Sequence, residues 1–351
     1  MHTIANRGGP LEARPGTSQA SPDWDSVRTF LEVVRCGSFR SAAERLALSP
    51  NALRRKIDDL ERTLGTILVT RHVDGIRTTA EGAEILIAAK RMEEAAFGLV
   101  RARDRALPEM SGEVRLGVTE AFGTFWLGPR LVEFQRAYPQ LAVDLACAMR
   151  SADVLRLEAD LAIQLTRPTN PDVKIVKLGR IHSMLAAAPS YLAIYGTPKT
   201  VDDLRNHRLA MQFADQTKSH ELLTGLLPGI ALSDLVKFST NNSTALLWAI
   251  IKGAGIGWSP TYIHVMGPKM VPLDIDDTVF PFDIWLTYHP DAARVPRVRR
   301  MIDWIVENFD PKVFPWFRDE FIHPRDLPNH YQGPALVNLF EGCVWDQGSK
   351  R

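Results

Sequence analysis

The sequence is poor in cysteine, in long apolar runs and in net charge. Its 351 residues include three cysteines, Cys36, Cys147 and Cys343, whose spacing offers neither a disulfide framework nor the paired thiols of a zinc site. Cys147 stands in an apolar stretch, and we expect it to be buried and inert. No apolar run approaches the roughly 18–20 residues that a membrane-spanning helix needs. These absences predict a cytoplasmic protein without a membrane partner.

The near-zero net charge excludes a uniformly basic nucleic-acid binder. The chain has 42 Lys and Arg residues against 41 Asp and Glu residues, and residues 23–107 have 15 against 13. Any DNA-binding part must therefore depend on where its cations are placed. With 45% hydrophobic residues the chain is not disordered as a whole, and its length suggests two or three domains.

Signatures of catalysis and of cofactor binding are missing as well. The sequence contains no HExxH, no P-loop and no GxSxG, and its nine histidines are scattered. The glycines Gly253, Gly255 and Gly257 do not have the spacing of a dinucleotide-binding fingerprint. We therefore expect no enzyme activity, no catalytic residue, no metal site and no cofactor.

Three short helices are predicted after a Gly-, Pro-, Ser- and Thr-rich stretch at 1–22, which we interpret as a flexible arm. Apolar residues recur at helical spacing in three successive stretches, and Gly37 ends the first of them. Ser38 and Ser49 stand at N-cap positions, and Pro50 suits the first position of the third helix. This succession is typical of a helix-turn-helix unit.

The third helix carries cations and an amide in its first turns, which are the turns that face DNA in a helix-turn-helix unit. A hairpin around Asp74-Gly75 follows and predicts a basic wing over the phosphate backbone. The alternative is a charged face that is only solvated. The predicted DNA-binding residues are Ser38, Arg40, Ser49, Asn51, Arg54, Arg55, Lys56, Arg71, His72 and Arg77.

A single long helix is predicted from Thr79 to Ala106. Its cap is either Thr78, in a capping box with Glu81, or Thr79 itself. A helix of this length cannot bury an apolar stripe alone, so we expect it to pair with the same helix of a second chain. The stripe consists of Ile85, Ala88, Ala89, Met92, Ala96, Leu99 and Val100.

Strands and helices alternate beyond a linker at 108–112, which predicts βαβ units and an open, mostly parallel sheet. The predicted strands are 114–118, 141–146, 161–164, 183–187, 209–212, 256–259 and 284–288. The predicted helices are 127–138, 189–195, 246–252 and 298–309, and a helical turn is predicted at 154–158.

An ordered set of motifs over about 23–310 resembles the LysR-type transcriptional regulators. In the first half the motifs are Ser38-Phe39-x2-Ala42-Ala43-x2-Leu46, Ser49-Pro50-Asn51-Ala52-Leu53 and Ile57-x2-Leu60-Glu61-x2-Leu64-Gly65. In the second half they are Tyr138-Pro139, Asp160-Leu161-Ala162-Ile163, Pro189-Ser190-Tyr191-Leu192, Thr200-Val201-Asp202-Asp203-Leu204 and Gly253-Ala254-Gly255-Ile256-Gly257.

The resemblance implies an all-α-plus-wing N-terminal domain, a long linker helix and an α/β effector domain like that of periplasmic binding proteins, with two subdomains. The implied boundaries are an arm at 1–22, a winged helix-turn-helix at 23–78, a linker helix at 79–111, an effector domain at 112–310 and an aromatic-rich extension at 311–351. Subdomain I is expected at 113–179 and 284–310, and subdomain II at 180–283.

The resemblance also implies a bacterial, sequence-specific regulator of transcription under the control of a small-molecule effector. Its implied partners are double-stranded DNA, a second copy through the linker helix, further copies in a tetramer, and RNA polymerase. Two alternatives stay open: the same fold acting constitutively without an effector, and an α/β solute-binding or enzymatic protein with an accessory helix-turn-helix.

Ligands of open α/β sheets sit at the carboxyl ends of strands, where hydroxyl, amide and guanidinium groups gather in this sequence. These groups suit a small anion or a polar metabolite, although several of them are equally good helix caps. Glu120 either repels a carboxylate there or faces outward. The predicted effector-binding residues are Thr119, Phe122, Arg150, Gln164, Thr166, Gln212, Asn241, Asn242 and Ser243.

The last 39 residues hold seven of the chain's 29 aromatic residues. Disordered tails are usually poor in aromatic residues, so we expect this extension to dock, either on its own regulatory domain or on a neighbouring chain.

Overall fold

The computed structural model describes residues 21–72, 75–105, 110–333 and 336. These residues form two compact units that divide after Gly98. All but the last two residues of the predicted N-terminal arm at 1–22 lie outside the described residues. No described helix is both long and apolar enough to cross a membrane. Within the same ranges, no three His, Cys, Asp or Glu side chains gather in a group that could hold a metal ion.

The N-terminal unit begins with the three predicted helices, which the structure confirms. They are α1 Trp24–Cys36, α2 Phe39–Arg45 and α3 Pro50–Leu64. Gly37 and Gly65 end α1 and α3 with φ of 61° and 70°, a left-handed conformation that favours glycine. Ser38 and Ser49 accept hydrogen bonds from backbone N–H groups in the first turns of α2 and α3, as predicted. The helices enclose a core centred on Phe30, Leu31, Leu53, Ile57 and Leu60.

The wing is an antiparallel hairpin of β1 Val69–His72 and β2 Gly75–Thr78. Residues 73 and 74, between the strands, lie outside the described residues, so the predicted turn is described only at Gly75. The Ile76 N–H donates a 2.8 Å hydrogen bond to the carbonyl oxygen of Gly37. A Cβ on Gly75 would lie 2.7 Å from that oxygen. The wing is thereby anchored to the end of α1.

The long helix α4 runs from Ala80 to Arg105. Thr79 caps it, because the Thr79 hydroxyl oxygen accepts a 2.8 Å hydrogen bond from the Gly82 N–H and the hydroxyl donates to the Ile67 carbonyl at 2.6 Å. Of the two predicted caps, the second is therefore formed, and the capping box from Thr78 is not.

A buried ion network joins α1 to α4, and no sequence motif predicts it. Arg35 donates hydrogen bonds to Glu32 at 3.0 Å and to Glu93 at 2.9 Å, with a second contact to the other Glu93 oxygen. The side chains of Glu32 and Glu93 are 2% and 8% exposed. Burial lowers the pKa of the Arg35 guanidinium, but the hydrogen bonds to Glu93 and Glu32 outweigh it and leave that pKa raised.

The C-terminal unit is an α/β structure. Its strands are β3 Gly112–Val118, β4 Leu141–Cys147, β5 Leu161–Gln164, β6 Lys174–Ala187, β7 Leu209–Gln212, β8 Val236–Thr240, β9 Gly257–Pro260, β10 Val271–Pro272 and β11 Phe280–Tyr288. Its α-helices are α5 Gly128–Ala137, α6 Pro189–Tyr195, α7 Ser219–Leu226, α8 Leu232–Leu235, α9 Ser243–Ile251, α10 Thr261–His264, α11 Pro296–Asn308 and α12 Leu327–His330.

The prediction of a mostly parallel sheet is wrong for the larger sheet. Seven strands follow the order β10-β6-β11-β5-β3-β4, with β9 also paired to β6. Only β3 is parallel to its neighbours β4 and β5, whereas β6 and β11 are antiparallel to every strand they pair with. The reason is that the 14-residue β6 and the returning β11 run side by side through the middle of the sheet. A separate sheet of β7 and β8 is parallel.

Two further elements differ from the prediction. Residues 154–157 form a turn, but the helical turn predicted at 154–158 is interrupted at Leu157, whose φ of 57° is left-handed. A π-helical turn, Phe122–Leu127, precedes α5. Besides these, α7, α8, β8, α10, β10 and α12 were not predicted.

The C-terminal extension docks on the α/β part of its own chain, one of the two predicted outcomes. Phe314, Trp316 and Phe317 are buried, and all three rings contact Trp126 at centroid distances of 4.9–5.5 Å. Arg130 lies 3.4 Å above the Trp126 ring. Beyond these aromatics, Asp319 pairs with Lys177 at 2.6 Å, and Arg325 and His323 both pair with Asp274. Phe340 and Trp345 lie outside the described residues.

Candidate functional site

The first turns of α3 present polar side chains to solvent, as the sequence predicts for a DNA-facing helix. Asn51, Arg54 and Arg55 are exposed, while Leu53 and Ile57 between and after them are buried in the helical core. The helix therefore turns its amide and its two guanidinium groups away from the core. Such groups can contact base edges and phosphates.

The ring of Phe39 lies between α3 and the wing. The guanidinium carbon of Arg54 is 5.7 Å from the centre of this ring, and that of Arg71 is 5.1 Å from it. Both distances are within the range of cation–π attraction. Phe39 thus holds one cation of α3 and one of β1 on the same side of the unit, which the sequence reading did not foresee.

Other predicted DNA-binding residues have partners within the chain. Lys56 forms an ion pair with Asp25 at the start of α1, and Arg40 pairs with Glu44 at 3.4 Å. A contact between Lys56 and DNA requires this ion pair to open. On the wing, Arg71, His72 and Arg77 are exposed, and the Thr70 hydroxyl oxygen lies 3.1 Å from His72 Nε2.

The second candidate site is a cavity of about 110 Å³ in the C-terminal unit. It lies beside α9 and the ends of β3, β7 and β9. Of the predicted effector-binding residues, four line it: Thr119, Phe122, Gln212 and Ser243.

The remaining predicted effector residues are not among the described residues that line the cavity. Arg150 instead donates to Glu158 at 2.9 Å, and Gln164 donates to the carbonyl of Thr166 at 2.6 Å. Asn242 caps α9 by accepting from the Ala245 N–H at 2.8 Å, which is the alternative role that its residue type suggested. The Asn241 carbonyl accepts from the Gln212 amide at 3.3 Å.

Glu120 turns inward, so the alternative that it faces outward is wrong. Its Oε2 accepts hydrogen bonds from the Ser243 backbone N–H at 2.8 Å and from the Ser243 hydroxyl at 3.2 Å. A carboxylate at a helix N-terminus offsets the partial positive charge there. Because Glu120 and Ser243 belong to different predicted subdomains, this contact ties the two together beside the cavity.

Gln216 makes a second tie of this kind and was also missed. Its side-chain oxygen accepts from the Leu165 N–H at 2.7 Å, and its amide donates to the Met149 carbonyl at 2.6 Å. The residue is only 6% exposed. Local sequence carries no signal for these two hydrogen bonds of Gln216, since the partners are 51 and 67 residues away.

Two of the residues that line the cavity have a buried hydroxyl group without a hydrogen-bond partner in the described part of the chain. They are Ser259 and Tyr262, each 1% exposed. Burial raises the pKa of the Tyr262 hydroxyl, which therefore stays protonated. Buried polar groups normally have a partner, so these two hydroxyls mark a place where a ligand group fits.

The prediction that Cys147 is buried is wrong. The residue is exposed because it ends β4, the edge strand of the large sheet. Its sulfur faces Gly123, where a Cβ would lie 2.2 Å from it. Partial burial and the negative charge of Glu120 raise the pKa of the thiol, which favours its protonated form.

Comparisons with known proteins agree with this architecture. Residues 24–83 match the sequence model of the bacterial regulatory helix-turn-helix protein, lysR family, and residues 108–310 match that of the LysR substrate binding domain. The aromatic residues of the extension fall beyond the second match.

Individual relatives are similar over most of their length. An HTH-type transcriptional regulator of Xanthomonas campestris pv. campestris is 30% identical over 247 residues, which cover 67% of this chain and 69% of the relative. The probable HTH-type transcriptional regulator LtrA of Klebsiella pneumoniae is 26% identical over 80% of this chain and 92% of its own length.

A solved structure shares the fold. The full-length Vibrio cholerae virulence activator AphB, a member of the LTTR protein family, superposes with a TM-score of 0.51 at 19% identity, covering 81% of this chain and 99% of AphB. The substrate-binding-domain match spans more than half of the chain, and a relative at 30% identity is matched over more than two thirds of its length. The chain therefore belongs to the LysR family of bacterial transcriptional regulators.

Proposed function

We propose that this regulator binds a specific, dyad-related sequence of double-stranded DNA as a dimer and responds to a small-molecule effector. The observation that carries the DNA-binding half is the exposed face of α3, where Asn51, Arg54 and Arg55 extend from the first turns of a helix with Leu53 and Ile57 buried beneath. Arg is suited to guanine or phosphate, and Asn is suited to adenine.

The wing supplies the second contact to DNA. Arg71 and Arg77 are exposed on the two strands of the hairpin, and Arg71 shares the Phe39 ring with Arg54. The two elements therefore approach one DNA duplex together, with α3 in the major groove and the wing along the phosphates. Contacts to phosphate supply affinity and register, whereas contacts to base edges supply specificity.

Pairing of α4 with its copy in a second chain places two recognition helices on one DNA site. One face of α4 in the N-terminal unit is buried at Ala89 and Glu93, but Ile87 and Met92 on other faces are 51% and 38% exposed. Apolar side chains that stay exposed along a long helix favour a helical partner. A two-fold dimer of this kind matches the symmetry of a dyad-related DNA site. On the DNA, two such dimers associate into a tetramer, and the bound protein contacts RNA polymerase.

The effector half of the proposal is supported by the cavity beside Ser243 in the C-terminal unit. A ligand there contacts groups of both predicted subdomains and shifts the balance between two arrangements of them, provided that it binds one more tightly than the other. This role is regulatory rather than catalytic, and it is exercised in the cytoplasm, where bacterial DNA lies. The contact between Glu120 and Ser243 joins the predicted subdomains through the chain's own groups, which favours constitutive action as the second candidate.

A binding experiment on selected DNA tests the proposal. Double-stranded fragments are enriched from a random pool with the full chain, and their affinity is measured over a range of salt concentrations. Arg54→Ala is expected to lower affinity by about 1–3 kcal/mol if the side chain reads a base, or to reduce the salt slope by about one if it contacts a phosphate. Failure to enrich any specific sequence contradicts the proposal.

Arg62→Ala is the matched control, because Arg62 lies on the same helix near its other end and pairs with Asp59 at 2.7 Å. We expect it to bind the selected DNA as the unaltered chain does. An equal loss in both variants would show that the first turns of α3 have no special role.

A further inference from the structure

The wall of the effector cavity carries no formal charge. Among the described residues that line it there is no Lys, Arg, His, Asp or Glu. Aromatic rings such as Phe122 and Phe282 and aliphatic side chains such as Leu247 and Ile250 form most of the wall. An ion taken from water into such surroundings loses its hydration without gaining a counter-charge, which is strongly unfavourable.

The position that a helix usually offers to an anion is already occupied by the chain. Helix α9 has nine residues and points its N-terminus at the cavity through Ser243, but Glu120 accepts both the Ser243 N–H and the Ser243 hydroxyl. A ligand carboxylate at this helix end competes with a tethered carboxylate and is repelled by it. The guanidinium group of Arg180, which precedes the lining residue Ile181, is engaged too, since it donates to Asp283 at 2.7 Å.

The polar groups that remain available are hydroxyls. Ser259 and Tyr262 are each 1% exposed, line the cavity, and have no hydrogen-bond partner within the described part of the chain. A hydroxyl both donates and accepts, so an uncharged oxygen on a ligand satisfies it. The site therefore offers a small polar spot within an apolar wall.

The cavity is also small. Its volume of about 110 Å³ is close to that of apolar protein cavities, about 150 Å³, that hold one benzene molecule. A single six-membered ring with one short substituent is the size that fits without rearrangement of the wall.

We propose that the effector is an uncharged, mostly apolar, ring-sized molecule that carries one hydroxyl or carbonyl oxygen, and that this oxygen is held by Ser259 and Tyr262. The inference rests on the proposed function only in taking this cavity as the effector site. Of the two ligand classes suggested by the sequence, a small anion or a polar metabolite, it excludes the anion and favours a neutral ligand that is mostly apolar.

Benzyl alcohol and benzoate are matched probes for this inference, because they have the same ring and the same number of carbon atoms but differ in charge. Their binding to the full chain is measured by isothermal titration calorimetry at neutral pH. We expect benzyl alcohol to bind at least about tenfold more tightly than benzoate. Equal or tighter binding of benzoate overturns the inference, as does the absence of benzyl alcohol binding up to its solubility limit.

Variants of the polar spot separate binding in this cavity from binding elsewhere. Ser259→Ala and Tyr262→Phe each remove a hydroxyl and are expected to weaken benzyl alcohol binding about tenfold. Thr287→Val is the control, because Thr287 is likewise buried without a hydrogen-bond partner among the described residues but does not line the cavity. An equal effect of Thr287→Val, or no effect of the first two, contradicts the assignment.

Glu120→Gln tests the reason for excluding anions. The change keeps the shape of the side chain, removes its charge, and is expected to raise the affinity for benzoate relative to that for benzyl alcohol. An unchanged ratio contradicts the role given to Glu120. These titrations contain no DNA, so their failure leaves the DNA-selection result standing, and a failed DNA selection leaves the ligand result standing.

Discussion

Replacing Phe317 by alanine is expected to lower the free energy of unfolding of the C-terminal unit by about 3–5 kcal/mol. The side chain is 0% exposed, and its ring lies 4.9 Å from that of Phe309 and 5.1 Å from that of Trp126. It also contacts Phe122 and Tyr262, both of which line the cavity. Truncation removes the apolar transfer energy of a whole ring and leaves a hole among side chains that cannot all move inward.

The assay is equilibrium unfolding in urea followed by tryptophan fluorescence. Of the seven tryptophans among the described residues, six lie in the C-terminal unit and Trp24 lies in the N-terminal one, so the signal reports mainly on the unit that is perturbed. A chain of two units does not have to unfold in one step. Because of this imbalance, tryptophan fluorescence follows the unfolding transition of the C-terminal unit separately from that of the N-terminal unit.

Phe321→Ala supplies the comparison within the same extension. Phe321 is 40% exposed and contacts the rings of His182 and His323 at 5.6 and 6.2 Å. We expect a loss of about 1 kcal/mol or less, as is usual for a substitution near the surface. If the two variants unfold at the same urea concentration, the extension does not contribute to the core in the way described here.

Two other perturbations follow from the buried charges. Glu93→Ala removes the main partner of Arg35 and is expected to lower the free energy of unfolding of the N-terminal unit by about 3 kcal/mol. Hydrogen exchange of the α1 amides measures this loss, and an unchanged exchange rate would contradict a structural role for the network. Burial, and then the charge of His323, lowers the pKa of His264 to about 4. The unfolded chain therefore binds a proton as the pH falls below the ordinary value of 6.5 while the folded chain does not, and stability is lost between about pH 6.5 and 4, by about 2–3 kcal/mol. Urea titrations at both ends of this window measure the loss, and His264→Leu should flatten it.

The N-terminal unit could be predicted almost completely, because its signals are local. Gly37, Ser49 and Pro50 mark helix ends through the backbone conformations and hydrogen bonds that these residue types favour, and the wing follows from a glycine at a tight turn. The ion network around Arg35 escaped this reading, since Glu93 lies 58 residues farther along the chain. Charged residues on an amphipathic helix are normally assigned to the solvent face.

The C-terminal unit shows where such signals end. The predicted bounds of β4, β5 and β7 are correct to within a residue. The predicted parallel direction of the strands was wrong, because the antiparallel pairing of β6 with β11 depends on where the chain returns and not on the composition of either strand. The lining residues at the end of β3 and the start of α9 could be predicted, because ligands of α/β sheets generally bind at the carboxyl ends of the strands. Ser259 and Tyr262 were missed because a serine and a tyrosine in an apolar stretch read as ordinary core residues.

The docked extension determines where a truncated fragment of this protein can end. A fragment that ends at residue 310, the edge of the matched family domain, loses Phe314, Trp316 and Phe317 and leaves Trp126 and Phe309 open to water. Exposed aromatic patches of this kind promote aggregation. For this member of the family, the smallest regulatory fragment that folds cleanly should therefore reach at least to Tyr331, whose ring stacks on Phe314. The working domain boundary is set by packing and lies about twenty residues beyond the one set by sequence similarity.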